Sequence, residues 1–184
     1  MKYRQDFDGL EIIETKTFHD ARGYFRETFR DVLFNNMTGN RYRMVQDNEA
    51  FSGPAFVLRG LHYQKEPKAQ AKLLRVSKGV IFDVVVDLRK ESPSYGQWRG
   101  FELSEENALS LFIPEGFAHG YLTLVENSLV SYKVSDYYAP ETEGGLLWND
   151  PDIGINWPLG GNTPLMSDKD MTLPLLSQLG ELFV

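Results

Sequence analysis

Cysteine is absent from the 184 residues of this chain. Disulfides, thiolate nucleophiles and cysteine-held metals go with it. Histidine is scarce, with three copies (His19, His62 and His119). No His-x-His pair occurs, so the local spacing of a barrel metal site is missing and no metal is expected. Positive charge is in the minority: 19 Lys and Arg face 26 Asp and Glu, a formal net charge of -7. An acidic chain gains nothing from counterion release on a polyphosphate, which argues against nucleic acid as a partner. No apolar run approaches the ~18 residues of a membrane span. The N-terminus carries Lys2, Arg4, Asp6 and Asp8 and lacks the apolar core of a signal peptide. A soluble cytoplasmic protein without a membrane partner is the expectation. Gly-x-Ser-x-Gly, Walker and Gly-x-Gly-x-x-Gly signatures are missing as well, so neither a serine nucleophile nor a phosphate-binding loop opening a helix is indicated.

What is present reads as one all-β domain over residues 1–184. Short apolar runs alternate with turn residues, and neither repeat nor linker interrupts them. The spacing predicts strands at Leu10–Thr15, Tyr24–Thr28, Tyr42–Asp47, Val57–Tyr63, Lys72–Ser77, Val80–Leu88, Gln97–Leu103, Leu109–Ile113, Ala118–Leu124, Ser128–Val134 and Gly144–Trp148. Short helices are expected at Asp31–Met37 and Thr172–Leu179, the latter with Pro174 tolerated only near its start. About ten strands and few helices point to a jelly-roll or similar barrel. In Val80–Leu88, the face Val80, Phe82, Val84, Val86 and Leu88 is expected to be core. The opposite face carries Asp83 and Asp87 and could line a pocket.

One segment concentrates the chemistry. Arg59-Gly60-Leu61-His62-Tyr63-Gln64, followed by Lys72, sets an imidazole between a guanidinium and an ammonium. Imidazole titrates near ~6.5 and can act as a base at neutral pH. Arginine can clamp a phosphate, and lysine can steady an oxyanion. That equipment suits removal of a proton beside a carbonyl on a phosphorylated substrate. Strict alternation puts Arg59 and His62 on opposite faces, so convergence requires a bulge or sharp twist at Gly60. Taken singly, each residue has a plainer reading. His62 could be a hydrogen-bonded core histidine, Lys72 a solvated surface lysine, His119 a turn cap and Tyr132 packing. In Ser167-Asp168-Lys169-Asp170 either aspartate could orient His62, or the cluster could simply cap a helix.

In order and spacing, a longer set of motifs matches one family. It comprises Asp20-x-Arg22-Gly23-x-Phe25-x-Glu27, Gln46-Asp47-Asn48, Leu58-Arg59-Gly60-Leu61-His62-Tyr63-Gln64, Lys72, Asp83-x-x-x-Asp87-x-Arg89, Ser92-Pro93, Ile113-Pro114-Glu115-Gly116-Phe117-Ala118-His119-Gly120, Tyr132-Lys133, Tyr137-Tyr138, Glu143, Trp148-Asn149-Asp150-Pro151 and Ser167-Asp168-Lys169-Asp170. With these the chain resembles the dTDP-4-dehydrorhamnose 3,5-epimerases, nucleotide-sugar enzymes of the cupin jelly-roll class (a double-stranded β-helix with a few short peripheral helices). The loop Ser52-Gly53-Pro54-Ala55-Phe56 departs from the usual pattern.

The resemblance implies an isomerase that uses no cofactor and no metal. His62 is then the base, oriented by Asp170, and Tyr132 the proton donor. Arg22, Glu27, Gln46, Asn48, Arg59, Lys72, His119, Glu143 and Lys169 contact the substrate, a dTDP-linked 4-keto-6-deoxy sugar. Phe25 and Tyr138 form aromatic walls near the nucleotide base. A homodimer with exchanged N-terminal strands is implied, which brings residues near 22–27 to a site built around His62. Physical chemistry fits those roles. The hydrogens at C3 and C5 are both alpha to the C4 ketone, so one oxyanion partner, for which Lys72 is the candidate, serves both removals. Two other readings share the same residues: inversion at C3 or C5 alone, and a cupin that binds the nucleotide sugar without turning it over.

Overall fold

The computed structural model describes residues 2–6, 9–180 and 183, with side chains for 9–180 and 183. Asp8, the side chains of Lys2, Arg4 and Asp6, and the ends of the expected 1–184 domain lie outside the described residues.

Thirteen strands are found among the described residues: β1 (Lys2–Asp6), β2 (Leu10–Glu14), β3 (Thr17–Asp20), β4 (Gly23–Arg26), β5 (Gln46–Ser52), β6 (Leu58–Gln64), β7 (Lys72–Lys78), β8 (Val80–Asp87), β9 (Trp98–Ser104), β10 (Leu109–Ile113), β11 (Phe117–Thr123), β12 (Ser128–Val134) and β13 (Glu143–Gly145). One sheet runs β1-β2-β10-β7-β12-β5 and the other β13-β6-β11-β8-β9, while β3 and β4 form a separate hairpin. The sheets are antiparallel throughout. Two facing antiparallel sheets with long crossovers are the jelly-roll solution to edge exposure.

Alternation explains the layers. Leu10, Ile12, Leu74, Val76, Leu111, Ile113 and Val130 of the six-stranded sheet meet Ile81, Val85, Leu103, Phe117 and Tyr121 of the other, filling the barrel. The outer face of the five-stranded sheet is covered too. Val84, Val86 and Leu88 pack there with Leu146, Ile153 and Trp157 of the C-terminal segment. Helix α1 (Asp31–Thr38) sets Phe34 on Ile13, Leu73 and Phe112 outside the six-stranded sheet. The expected core face of the 80–88 strand is found, and the opposite face is core as well. The face with Asp83 is the one that points into the barrel.

Three expected elements shift. Tyr42–Asp47 is not a strand: residues 41–45 are irregular, and Tyr42 stacks edge-on against Phe112 at 5.2 Å between centroids. The strand begins at Gln46, where the alternation is polar and only half buried. Gly144–Trp148 is a strand only over Glu143–Gly145; Leu146 still exchanges hydrogen bonds with Leu61, and Leu147 then turns its N–H to the Pro174 carbonyl. The Thr172–Leu179 helix is displaced upstream to α2 (Asp168–Met171), with a single 3-10 turn at Leu176–Gln178. Pro174 disfavours helical geometry in the residue before it, and Ser167 offers a better start by accepting the Asp170 N–H. Among the described residues no helix is long and apolar enough to cross a membrane.

Candidate active site

The required irregularity at Gly60 is present. In the β6–β11 ladder His62 lies opposite His119 and Arg59 opposite Tyr121, so Gly60 and Leu61 face Gly120 alone. That is a bulge, and it turns Arg59 and His62 toward one hollow. Gly60 sits at φ 114°, and a Cβ there would come within 2.7 Å of the Gly120 Cα and of the His119 carbonyl oxygen. Glycine is what allows the two strands to approach this closely.

A cavity of about 490 Å³ opens at this point. Arg59 and His62 on β6, Lys72 at the start of β7, His119 and Tyr121 on β11, Tyr132 on β12, and Lys169 and Asp170 on α2 all line it. His62 Nε2 lies 2.7 Å from Asp170 Oδ1, and the Gly60 N–H donates to the other oxygen at 3.2 Å. Of the two aspartates, it is Asp170 that turns inward and is buried; Asp168 is exposed. Burial pushes the Asp170 carboxyl up, but hydrogen bonds from His62, Gly60 and Ser167 outweigh it, and its pKa lies below the usual carboxylate range. An ionised Asp170 accepts the Nε2 proton of His62 and leaves Nδ1 as the basic nitrogen. The His62 side chain keeps 32% of its exposure, so it remains within reach of solvent and ligand.

Tyr132 shares a face of the six-stranded sheet with Val130, which points into the barrel. Burial raises its phenol, with the Arg59 charge opposing. Asn48 and Gln46 face Tyr132 and Val134 across the β5–β12 ladder and so project to the same side. The Gln46 amide donates to Asn48 Oδ1 at 2.8 Å. Arg59 is steadied by the Phe51 carbonyl at 3.0 Å. Lys72 donates to the His62 carbonyl at 3.4 Å, and desolvation lowers its pKa to about 8 against the pull of Asp83 and Glu143. His119 Nε2 meets Asp83 Oδ2 at 2.8 Å. At the rim, Glu143 Oε2 accepts from Lys169 Nζ at 2.6 Å and from the Tyr138 hydroxyl at 2.8 Å.

Gln46, Asn48, Tyr138 and Glu143 are not among the lining residues themselves, and three further expected site residues are held elsewhere by other contacts or exposed. Arg22 is exposed and paired with Asp20 at 2.6 Å, Glu27 pairs with Arg30 at 2.6 Å, and Phe25 is 69% exposed. All belong to the β3–β4 hairpin or the segment after it. The sequence reading put Asp83 on a face that could line a pocket but gave it no partner, and it gave no role to Tyr121. Among the described residues no three His, Asp or Glu side chains gather as a metal site.

The fold is shared with known proteins. Residues 4–178 match the family model for dTDP-4-dehydrorhamnose 3,5-epimerase. A protein of that name from Methanothermobacter thermautotrophicus is 53% identical over 91% of this chain and 89% of its own length. The crystal structure of the dTDP-6-deoxy-D-glucose-3,5-epimerase of Legionella pneumophila, in complex with dTDP-4-keto-L-rhamnose, superposes with a TM-score of 0.93 at 42% identity, covering 99% of this chain and 97% of that one. A 3'-monoepimerase from Streptomyces bikiniensis, in complex with dTDP-quinovose, gives 0.89 at 33% identity, covering 96% and 88%. With the family model spanning nearly the whole sequence and the barrel shared to this degree, the chain belongs to the dTDP-4-dehydrorhamnose 3,5-epimerase family.

Proposed function

We infer that this chain inverts C3 and C5 of dTDP-4-dehydro-6-deoxy-D-glucose, giving dTDP-4-dehydro-L-rhamnose. The observation that carries the reading is a single cavity with the His62–Asp170 pair in its wall on one sheet and the Tyr132 phenol on the other. His62 removes the proton alpha to the C4 ketone. Lys72 donates to the enolate oxygen, and Tyr132 returns a proton to the opposite face. Both carbons flank the same ketone, so the same groups serve twice. Arg59 holds the diphosphate, while Gln46, Asn48, His119, Glu143 and Lys169 fix the sugar and nucleotide beside Tyr138. Loss of a donor such as Lys72 typically raises the barrier by about 2.7–4 kcal/mol. In D₂O the product should carry deuterium at both C3 and C5, read by proton NMR. Label at one carbon makes the enzyme a mono-epimerase, the reading favoured by its likeness to the Streptomyces bikiniensis protein. Label at neither carbon removes the catalytic reading.

We also propose a homodimer in which the β3–β4 hairpin reaches the cavity of the second copy. The support is the hairpin itself. Phe18, Tyr24 and Phe25 are more than half exposed, and none of the sequence-derived ligands Arg22, Phe25 or Glu27 meets the cavity of its own chain. Mixing Arg22→Ala protein with His62→Ala protein tests this. Subunit exchange should restore roughly a quarter of parent turnover, since half the dimers are mixed and each then holds one intact site. No recovery, with exchange verified by mass-tagged subunits, removes the shared site.

A further inference from the structure

One buried charge at the cavity has no part in the steps above. Asp83 lies on β8 with its side chain fully buried, on the face that Ile81 and Val85 turn into the barrel, behind the cavity residue His119. Oδ2 meets His119 Nε2 at 2.8 Å, whereas Oδ1 is buried with no hydrogen-bond partner among the described residues. The other carboxylates of the site are committed. Asp170 is taken by His62 and the Gly60 N–H, and Glu143 by Lys169 and Tyr138. Among the described residues Lys72 has only the His62 carbonyl at 3.4 Å. Resting on the epimerase reading, we propose that Asp83 is a positioning residue for the enolisation: its carboxylate is the counter-charge that keeps Lys72 cationic, and it takes the Nε2 proton of His119.

Two consequences separate this from a packing role. The first concerns hydrogen-bond polarity. With Nε2–H given to Asp83, a neutral His119 has a bare Nδ1 and can only accept. Desolvation lowers the His119 pKa, which keeps the ring neutral. His119 then serves a substrate hydroxyl, and the developing enolate oxygen is left to Lys72. The second concerns charge. Around the Lys72 ammonium stand His62 and Arg59 on β6, Asp83 on β8, and His119 and Tyr121 on β11. Tyr132 on β12, Glu143 on β13, and Lys169 and Asp170 on α2 complete the ring. Arg59 and Lys169 are cationic, and desolvation opposes the ammonium. Asp83 is the acid that favours it most, ahead of Glu143. Burial raises Asp83 itself, and the His119 contact and the Lys72 charge draw it back toward the ionised form.

Two measurements decide the matter. On ligand-free ¹⁵N-histidine protein, long-range ¹H–¹⁵N spectra should show His119 as the Nε2–H tautomer at pH 7, with His19→Gln aiding assignment. An Nδ1–H tautomer would mean that Asp83 holds the proton, and it overturns the proposal. In the second arm, kcat/KM of the parent enzyme should fall as pH rises through about 8, where Lys72 loses its proton. In Asp83→Asn that alkaline limb should move about one unit lower. In Lys72→Arg the same change should produce no such shift, because a guanidinium stays charged. Turnover lost with the limb unmoved indicates packing alone and overturns the proposal. Should Asp83→Asn fail to fold, the tautomer measured on the parent protein still decides. A parent protein with no turnover at all sinks the functional reading instead and leaves the tautomer result standing.

Discussion

Replacing His62 with alanine is expected to abolish deuterium uptake at both C3 and C5 and to lower kcat by about 10²–10⁴-fold, the span a positioned general base supplies. The loss should be shared by the two carbons because one imidazole serves both. No neighbour can take over. Lys72, with its pKa lowered to about 8 by desolvation, is mostly protonated at neutral pH and already serves the enolate oxygen. Asp170 lies behind the ring, held by the Gly60 N–H and Ser167. His119 is a poor base because desolvation lowers its pKa and disfavours charging the ring. Folding should survive, since the His62 side chain is one-third exposed and its removal leaves Asp170 with its backbone partner. The check is proton NMR of the keto sugar in D₂O beside a thermal melt. A variant that folds normally and exchanges within tenfold of the parent would falsify the base assignment.

How much of this was legible beforehand differs from residue to residue. The strands Leu109–Ile113 and Ser128–Val134 come out as read. Both alternate or run apolar between clear turns, and both lie inside the larger sheet. The convergence of Arg59 and His62 could be stated as a condition on Gly60, because period-two alternation forbids it otherwise; the bulge is local, and glycine announces it. The choice between Asp168 and Asp170 could not be read from the residues. His62 and Asp170 stand 108 positions apart, and which aspartate turns inward depends on where Ser167 starts α2 over β6. Tyr42 misled for a related reason. Its apolar ring suggested a strand, yet it packs on Phe112 from outside the sheet. Long-range docking of irregular segments leaves little periodic trace. Asp83 was visible as one of two acids in an apolar strand, but the partner that gives it meaning, His119, comes from another strand.

Replacing Tyr132 with phenylalanine should uncouple two events that the parent performs together. Inversion requires that a proton leave one face and return to the other. Without the phenol the enolate still forms, because His62, Asp170 and Lys72 are untouched. On the face where the proton left, the proton source is then the imidazolium that has just been made. Since His62 is 32% exposed, that imidazolium can trade its proton for solvent deuterium before giving it back. The expected result is substrate that gains deuterium with its configuration retained, while inversion slows by about 10²–10⁴-fold. Stability should change little, for Tyr132 is only half buried and its ring stays packed against the barrel core. The ratio of exchange to inversion is the diagnostic quantity. Tyr132 is not the acid if exchange and inversion fall by the same factor, because both then depend on a common earlier step. If inversion continues at the parent rate, the returning proton comes from some other group on that wall. A rise in the ratio has no counterpart in a protein that merely binds the nucleotide sugar, since such a protein exchanges nothing.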